Sequence, residues 1–331
     1  MTGRNELHVL DVSDGSLDQW SAGTVPRNVH WYVRWAADGG RVFFHRDEAG
    51  DEQNDVCALA PDGAATAVAQ SDGQNVLQDV GGDGETLLVG SNRDGQMNVY
   101  RHDLPAGETA KLTDYDRAVW GAVLAPDCDR FAYATNETDD FDNRDVYVAN
   151  ADGSGARNLE LGEVGAECHP ADWGPDGERL LVEDNTPDLG RVGVYDCRDG
   201  DVRWYGDGEF EESPVAVLPG GEQALATRIR GPATVPVVYN LESGERRELA
   251  LPEGVASFGG WYHRTVPLDE DRILVEHTTP TRRPELLAYD LGADEYGTLL
   301  AADHGRFEPD DFADAEYSSW KCSGAVWSGT G

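Results

Sequence analysis

A repeating order of apolar and polar positions runs along most of this chain. In each copy a bulky or apolar residue is followed by a tight turn, mostly bearing Asp or Gly, and then by an apolar run. The copies begin at intervals of 45, 44, 49, 44 and 49 residues, at Trp35, Val80, Leu124, Trp173, Val217 and Val266, the last two being weaker. A period in the forties predicts one supersecondary unit in each repeat.

A second landmark alternates with the first and marks a strand that ends near an aromatic or apolar residue before an Asp, Asn or Gly turn. Its seven copies lie at Val9, Cys57, Tyr100, Tyr147, Tyr195, Tyr239 and Tyr289. Each repeat therefore holds two hairpins, and Asp-Gly connections fit the type I′ turns that join antiparallel strands. Four antiparallel strands in about 45 residues are typical of one blade of a β-propeller.

The number of copies predicts an all-β propeller of the seven-bladed type. The first landmark marks the inner hairpin of each blade and has six copies, and the second marks the outer hairpin and has seven. The difference arises because residues 6–20 form an outer hairpin with no inner hairpin before it. We therefore expect six complete four-stranded blades and an N-terminal outer hairpin. The segment 307–327 is the part of the chain left to complete the seventh blade, because an exposed strand edge tends to recruit a strand. Otherwise the open edge predicts a weak homodimer in place of a monomer.

The charge of the chain is strongly negative. Sixty-three Asp and Glu residues against 26 Lys and Arg give a net charge of −37, and Lys111 and Lys321 are the only lysines. Such acidity favours disorder or a basic partner, but the repeats and nine Trp argue against disorder. We interpret the charge as a hydrated surface adapted to molar salt, where screening weakens self-repulsion, as in proteins of salt-loving archaea. Nucleic acid is excluded as a partner because the field repels phosphate.

Targeting and cysteine patterns place the protein in the cytoplasm. The sequence has no signal-like N-terminal stretch and no run approaching the roughly 18 apolar residues that span a bilayer, so we expect no membrane partner. Its five cysteines are odd in number, scattered and without a CxxC motif, which indicates neither a disulfide framework nor a zinc site. We predict no cofactor and no bound metal.

Two passages of the repeats resemble those of a known class of propeller. Residues 173–182 read Trp-Gly-Pro-Asp-Gly-Glu-Arg-Leu-Leu-Val, and residues 145–153 read Asp-Val-Tyr-Val-Ala-Asn-Ala-Asp-Gly. Both are similar to the WD40-like repeats of TolB-type propellers, which also form the N-terminal domain of the prolyl oligopeptidase family of serine peptidases, including acylaminoacyl peptidases. The resemblance covers residues 6 to about 317.

The resemblance implies a propeller that caps a separate α/β-hydrolase domain. That domain carries its nucleophile in a GxSxG elbow, which this sequence lacks, and only 14 residues follow Tyr317. We therefore expect a non-catalytic, substrate-gating and interaction domain whose hydrolase domain is missing, with a peptide or that hydrolase domain as partner. A free-standing TolB-like interaction propeller is the alternative, and a metal-dependent propeller lyase is a third possibility.

The last 14 residues differ from the rest of the chain. The segment 318–331 contains no Asp or Glu, although it holds Lys321 and two of the nine Trp. We therefore divide the chain into a propeller domain, residues 1–317, and an atypical tail, residues 318–331, that is either an apolar strand or non-native sequence at a truncation.

Candidate channel residues lie just before three of the inner hairpins. The innermost strand of a blade faces the central channel, so side chains there are expected to line it. Three histidines from separate blades either meet as metal ligands or line the channel through hydrogen bonds. The candidates are His30, Trp31, His169, His263 and Arg264.

Four arginines form a second candidate site. They follow the inner hairpins of neighbouring blades, and we expect them in loops on one rim of the ring as Arg228, Arg230, Arg282 and Arg283. They either balance adjacent acidic loops or dock an acidic partner, because a guanidinium grips a carboxylate with two parallel hydrogen bonds. The acidic loop 136–145 does not match the EF-hand calcium pattern, so we interpret it as a solvated loop.

Overall fold

The computed structural model describes residues 5–26, 33–48, 50–259, 266–322 and 325–330, with side chains as far as Glu316. It confirms the predicted all-β fold class. The helical element in these ranges is a single turn of 3-10 helix, Pro309–Asp311. No helix in the described ranges has the length and apolar character needed to cross a membrane.

The chain begins with a short antiparallel hairpin formed by β1 (His8–Leu10) and β2 (Leu17–Gln19). Three groups of four strands follow: β3 (Arg34–Trp35), β4 (Val42–Arg46), β5 (Asp55–Leu59), β6 (Ala65–Ala69); β7 (Asn75–Val80), β8 (Thr86–Ser91), β9 (Asn98–Asp103), β10 (Glu108–Lys111); β11 (Trp120–Leu124), β12 (Arg130–Thr135), β13 (Asp145–Asn150), β14 (Arg157–Asn158).

Three further groups of four strands and a terminal hairpin complete the chain. They are β15 (Cys168–Trp173), β16 (Arg179–Asp184), β17 (Arg191–Asp196), β18 (Val202–Trp204); β19 (Glu212–Val217), β20 (Gln223–Arg230), β21 (Ala233–Asn240), β22 (Arg246–Glu248); β23 (Val255–Ser257), β24 (Arg272–Thr279), β25 (Arg282–Asp290), β26 (Glu295–Leu300); and β27 (Tyr317–Cys322) with β28 (Ala325–Thr330).

Strands within each group of four pair antiparallel in chain order, as the repeats predict. A single parallel bridge between Thr234 and Val255 joins the fifth and sixth groups into one sheet. Asp-Gly turns form at the expected places, but the predicted two-residue type I′ geometry is wrong: Asp83 does not have a positive φ, and the Gly84 N–H donates to the Gly81 carbonyl, so Gly84 follows a turn centred on Gly82 and Asp83. Gly84 has a φ of 71°, a conformation that costs glycine little, and Asp83 Oδ1 accepts hydrogen bonds from the backbone N–H groups of Glu85 and Thr86.

Carboxylates at equivalent repeat positions tie neighbouring groups together. Asp79 Oδ2 accepts a hydrogen bond from the Leu124 N–H at 2.8 Å, and Asp172 Oδ2 accepts one from the Val217 N–H at 2.9 Å. Each Asp sits where the register of its inner strand shifts, and such a bulge re-aims a side chain. The apolar cores lie between adjacent groups, where large buried side chains such as Phe131 and Tyr133 pack.

The N-terminal hairpin lies between the first and last groups of four. On one side Leu7 and Trp20 pack against the buried Phe44. On the other side, a Cβ placed on Gly15 in the hairpin turn would lie 3.7 Å from the Leu299 carbonyl oxygen of β26. The hairpin therefore lies next to both groups, and the seven-bladed count stays a prediction with which this placement is consistent.

The predicted completion of that blade by the C-terminal segment is wrong for the described residues. β27 and β28 pair with each other and β1 pairs with β2, in two separate two-stranded sheets. The physical reason is local pairing. β27 ends at Cys322 and β28 begins at Ala325, so the two strands form a hairpin with a two-residue connection and satisfy each other's backbone groups.

Candidate functional site

The inner strands of five neighbouring groups surround a cavity of about 320 Å³. Strands β7, β11, β15, β19 and β23 each contribute wall residues, so the cavity lies where the groups converge, as expected for the axial channel of a propeller. Its wall is formed by Gln78, Gly121, Ala122, Val123, His169, Pro170, Ala171, Glu183, Ser213, Pro214, Val215, Thr227, Thr234, Ala256, Ser257 and Phe258.

The polar part of this wall centres on Glu183. Glu183 on β16 lies opposite His169 on β15 in the antiparallel register, which places both side chains on the same face of the sheet. Ser213 on β19 donates its hydroxyl hydrogen to Glu183 Oε1 at 2.9 Å. Two neighbouring groups of strands therefore bring a carboxylate, an imidazole and a hydroxyl to one cavity.

Glu183 is held in an environment that disfavours its charged form. Burial is the main reason that the pKa of Glu183 is raised to about 7; the hydrogen bond from Ser213 opposes this rise, and the negative charges of Glu211 and Glu167 contribute to it. Among the described residues, no Lys or Arg forms an ion pair with Glu183. A carboxylate near half-ionisation at neutral pH in a cavity is a common mark of a functional site.

His169 lies on the wall of this cavity, and its role as a channel residue stays a prediction. Burial, which has the larger effect, and the positive charge of Arg144 together lower the pKa of His169 to about 4. The imidazole is therefore neutral at pH 7, and Glu183 is the group of this pair that changes charge near neutrality.

Gln78 supplies an unusual amide to another part of the wall. Its side chain is 2% exposed, and its Oε1 accepts a hydrogen bond from the Ala122 N–H at 3.2 Å. Within the described ranges its Nε2 donates to no acceptor. A buried amide nitrogen without an acceptor costs free energy, and this nitrogen has almost no surface open to the cavity.

The other predicted channel residues lie outside the described residues. These are His30, Trp31, His263 and Arg264. In the part of the chain that the structure describes, no three His, Cys, Asp or Glu side chains form a group suited to a metal ion.

The predicted arginine patch is divided by burial. Arg228 is not an exposed rim residue: it is 3% exposed, and its guanidinium pairs with Glu212 at 2.6 Å and with Glu248 at 3.2 Å. It lies within β20 directly opposite Glu212 on β19, and this register brings its guanidinium to the buried Glu212 carboxylate. The Arg228 guanidinium is therefore buried and already paired with two carboxylates of this chain, so it does not form part of an exposed patch for an acidic partner.

The remaining three arginines are exposed but already have contacts. Arg230 pairs with Glu248 at 2.8 Å, Arg282 pairs with Glu285 at 3.5 Å, and Arg283 donates to the Asp303 carbonyl at 3.3 Å. A groove of about 300 Å³ runs between the turn that joins β20 to β21 and the turn that joins β24 to β25. It is lined by Pro232, Ala233, Glu253, Gly254, Thr279, Pro280, Asp314 and Ala315. The two turns thus lie on one side of the molecule, and acidic residues share the groove.

Sequence reasoning missed Glu183 and Ser213. The inner hairpins drew attention to the histidines, whereas Glu183 lies near the end of the second strand, after an apolar run. One weak signal was available: Glu183 follows the apolar run Leu180-Leu181-Val182 at a position where the second and third copies carry Gly90 and Ala134, although the sixth copy carries Glu276.

Comparisons with known proteins find likeness mainly at the level of fold. No family model matches the sequence. An uncharacterised protein of Agrobacterium fabrum, Atu1656, is 26% identical over 186 residues, which cover 54% of this chain and 61% of that protein.

Three solved structures carry the same propeller. A puromycin hydrolase matches with a TM-score of 0.76 at 16% identity, covering 98% of this chain and 54% of that one. The Pyrococcus horikoshii acylaminoacyl peptidase matches with a TM-score of 0.67 at 16% identity, covering 98% and 52%. TolB from Acinetobacter baumannii matches with a TM-score of 0.55 at 14% identity, covering 82% and 66%.

The predicted resemblance to peptidase and TolB propellers is thus confirmed at the level of fold. The chain spans about half the length of the two peptidases that it matches and less than two thirds of the Agrobacterium fabrum protein. Identities this low establish the shared fold and nothing more.

Proposed function

We propose that this chain is a non-catalytic propeller that binds peptides in its axial cavity and gates their access to a serine hydrolase domain. The observation that carries the proposal is the cavity itself. Its wall combines apolar side chains with a few convergent polar groups, the composition typical of small-ligand sites. The hydrolase partner is inferred from the fold, because the matching peptidase chains are about twice as long as the region they share with this one.

The proposed absence of catalysis follows from the sequence. A serine hydrolase needs a nucleophile activated by a neighbouring base, and no GxSxG elbow occurs in the 331 residues. Ser213, the hydroxyl in the cavity, donates to the carboxylate of Glu183, and we assign it a binding role. We also propose that the protein works in the cytoplasm at high salt, consistent with its net charge of −37.

Peptide binding to a cavity-filled variant tests the gating proposal. Ser257→Trp places a large side chain on the β23 part of the wall, and we expect it to weaken binding of fluorescently labelled peptides at least tenfold. Ser243→Trp in an exposed outer turn is the matched control and should bind like the wild type. Equal binding by all three proteins would refute the axial site, and labelling of any serine by a fluorophosphonate probe would refute the non-catalytic role.

A free-standing interaction propeller of the TolB kind is a second candidate. The TolB likeness favours it, because it extends over 82% of this chain without the large extra region of the peptidases. The two candidates differ in partner. A gate should form a stable complex with a hydrolase domain from the same cell, whereas an interaction propeller should bind other proteins and leave peptidase activity unchanged.

A further inference from the structure

The fourth and fifth groups of strands touch beside the cavity at Glu183. The Ser213 hydroxyl on β19 donates to Glu183 Oε1 on β16 at 2.9 Å, and the Glu212 N–H donates to the Gly190 carbonyl at 2.9 Å. A Cβ on Gly190 would lie 3.0 Å from the Glu212 carbonyl oxygen and 3.1 Å from Glu183 Oε1. The two groups come this close because Gly190 has no side chain. We call these contacts the cavity-side junction.

An apolar core holds the same two groups together elsewhere in their interface. Leu181 and Val194 of the fourth group share one buried cluster with Val217 and Ala226 of the fifth. The burial of these side chains does not depend on pH, whereas the cavity-side junction consists of polar groups. Proteins open locally where few buried apolar contacts hold them, so the junction can open while the core of the interface stays closed.

The surroundings of the junction disfavour the ionised form of Glu183. Its side chain is mostly buried, and burial is the main reason that its pKa is raised from 4.5 to about 7. The hydrogen bond from Ser213 opposes this rise, and the negative charges of Glu211 and Glu167 contribute to it. Ionisation therefore places an unfavourable charge at the contact between the two groups.

Charged groups on the strands beside Glu183 do not compensate it. His169 lies opposite Glu183 on β15 and is neutral near pH 7, because burial and the positive charge of Arg144 lower its pKa to about 4. Asp184, the next residue on β16, pairs with Arg191 at 2.6 Å. Within the part of the chain that the structure describes, Glu183 itself forms no ion pair with Lys or Arg.

We propose that ionisation of Glu183 opens the cavity-side junction and that its protonation closes it. An open junction lets water hydrate the carboxylate, so Glu183 binds its proton more tightly when the junction is closed. Closure is therefore complete in acid and is lost as pH rises from about 4.5 to about 7. The result is a pH-sensitive gap in the cavity wall between β16 and β19, and it forms whatever the cavity binds.

Hydrogen exchange of the Glu212 amide reports the opening, because this N–H bonds to Gly190 across the junction. The exchange rate divided by that of an unprotected amide gives the opening equilibrium, which can rise by up to about tenfold per pH unit below pH 7. We expect a rise of at least about tenfold from pH 5 to pH 7, levelling off above it. The Tyr205 N–H, which bonds to the Val192 carbonyl inside the fourth group, is the control and should show no such rise.

Three variants identify Glu183 as the group responsible. Glu183→Gln keeps the size of the side chain and cannot ionise, so the Glu212 amide should stay as protected at pH 8 as in the wild type at pH 5. Glu211→Gln removes an exposed charge that raises the pKa of Glu183, so the rise should level off at a lower pH. Glu245→Gln, in the exposed connection between β21 and β22, should behave like the wild type.

Three results would overturn the proposal. The first is a Glu212 opening equilibrium that stays constant from pH 5 to pH 8, and the second is a pH dependence that persists in Glu183→Gln. The third is an equal rise for Tyr205, because ionisation would then destabilise the whole fourth group instead of opening the junction. The shift in Glu211→Gln gives a second test that leaves Glu183 in place, and its absence would also count against the proposal.

Discussion

The buried ion pair of Arg228 and Glu212 offers a sharp test of how the fifth group is held together. The Arg228 Nε donates to Glu212 Oε1 at 2.7 Å, and the Tyr239 hydroxyl donates to the same carboxylate at 2.6 Å. The two charged side chains are 3% and 4% exposed. Replacing Arg228 by Ala leaves Glu212 buried with a single neutral donor.

The expected cost follows from that burial. Removing one partner of a buried ion pair costs about 3–5 kcal/mol because the remaining charge is uncompensated. Arg230→Ala is the matched control, since it lies on the same strand and also pairs with Glu248, but its side chain is 53% exposed. Exposed pairs contribute about 0–1 kcal/mol. We therefore expect a difference of at least about 2 kcal/mol between the two variants.

Urea unfolding at one fixed KCl concentration, followed by tryptophan fluorescence, measures the difference. The double variant Arg228→Met with Glu212→Leu removes both charges and should be more stable than Arg228→Ala, because no buried charge is left alone. If Arg228→Ala and Arg230→Ala lower the free energy of unfolding equally, the buried pair does not have the role assigned to it.

Three further predictions concern salt, acid and the open strand edge. The melting temperature should rise from low to molar KCl, because the net charge of −37 repels itself less when screened; a flat profile contradicts the halophilic interpretation. Burial lowers the pKa of His45 from 6.5 to about 3, so the unfolded chain binds a proton before the folded chain does. The free energy of unfolding should therefore fall as pH drops from 6.5 towards 3, by up to about 1.4 kcal/mol per pH unit. His45→Gln should show a shallower fall in urea titrations at acid pH, and an equal fall would contradict the role assigned to His45. Leu7 and Asp11 direct their backbone groups towards β2, so Leu10 directs its N–H towards the open edge of β1. Leu10→Pro removes this N–H and should abolish any concentration-dependent dimer in analytical ultracentrifugation. A dimer that persists would show that the contact lies elsewhere.

The repeat period carried most of the information about the fold. Turn residues such as Asp83-Gly84 and apolar runs such as Leu87-Leu88-Val89 recur because each group of strands must solve the same local problem, so the hairpins and their pairing order could be predicted. The C-terminal segment could not, because apolar alternation shows that a strand forms but does not identify its partner.

The candidate site was predictable only in part. His169 was predicted on the channel wall because inner strands face the axis; the residue lines the cavity, and its role there stays a prediction. Arg228 was misjudged because a sequence shows which charges are close along the chain, whereas its partner Glu212 comes from the neighbouring strand β19. Glu183 was missed for the same reason, since Glu211, Glu167 and Ser213 approach it from other segments.

A crystal structure of the protein with a short peptide that carries a free N-terminus and a lysine tests the central claim most directly. We predict electron density for the peptide in the axial cavity, in contact with Ser213 and Phe258. Peptide bound only at the groove beside Thr279 and Asp314, with the axial cavity holding water alone, would contradict the account.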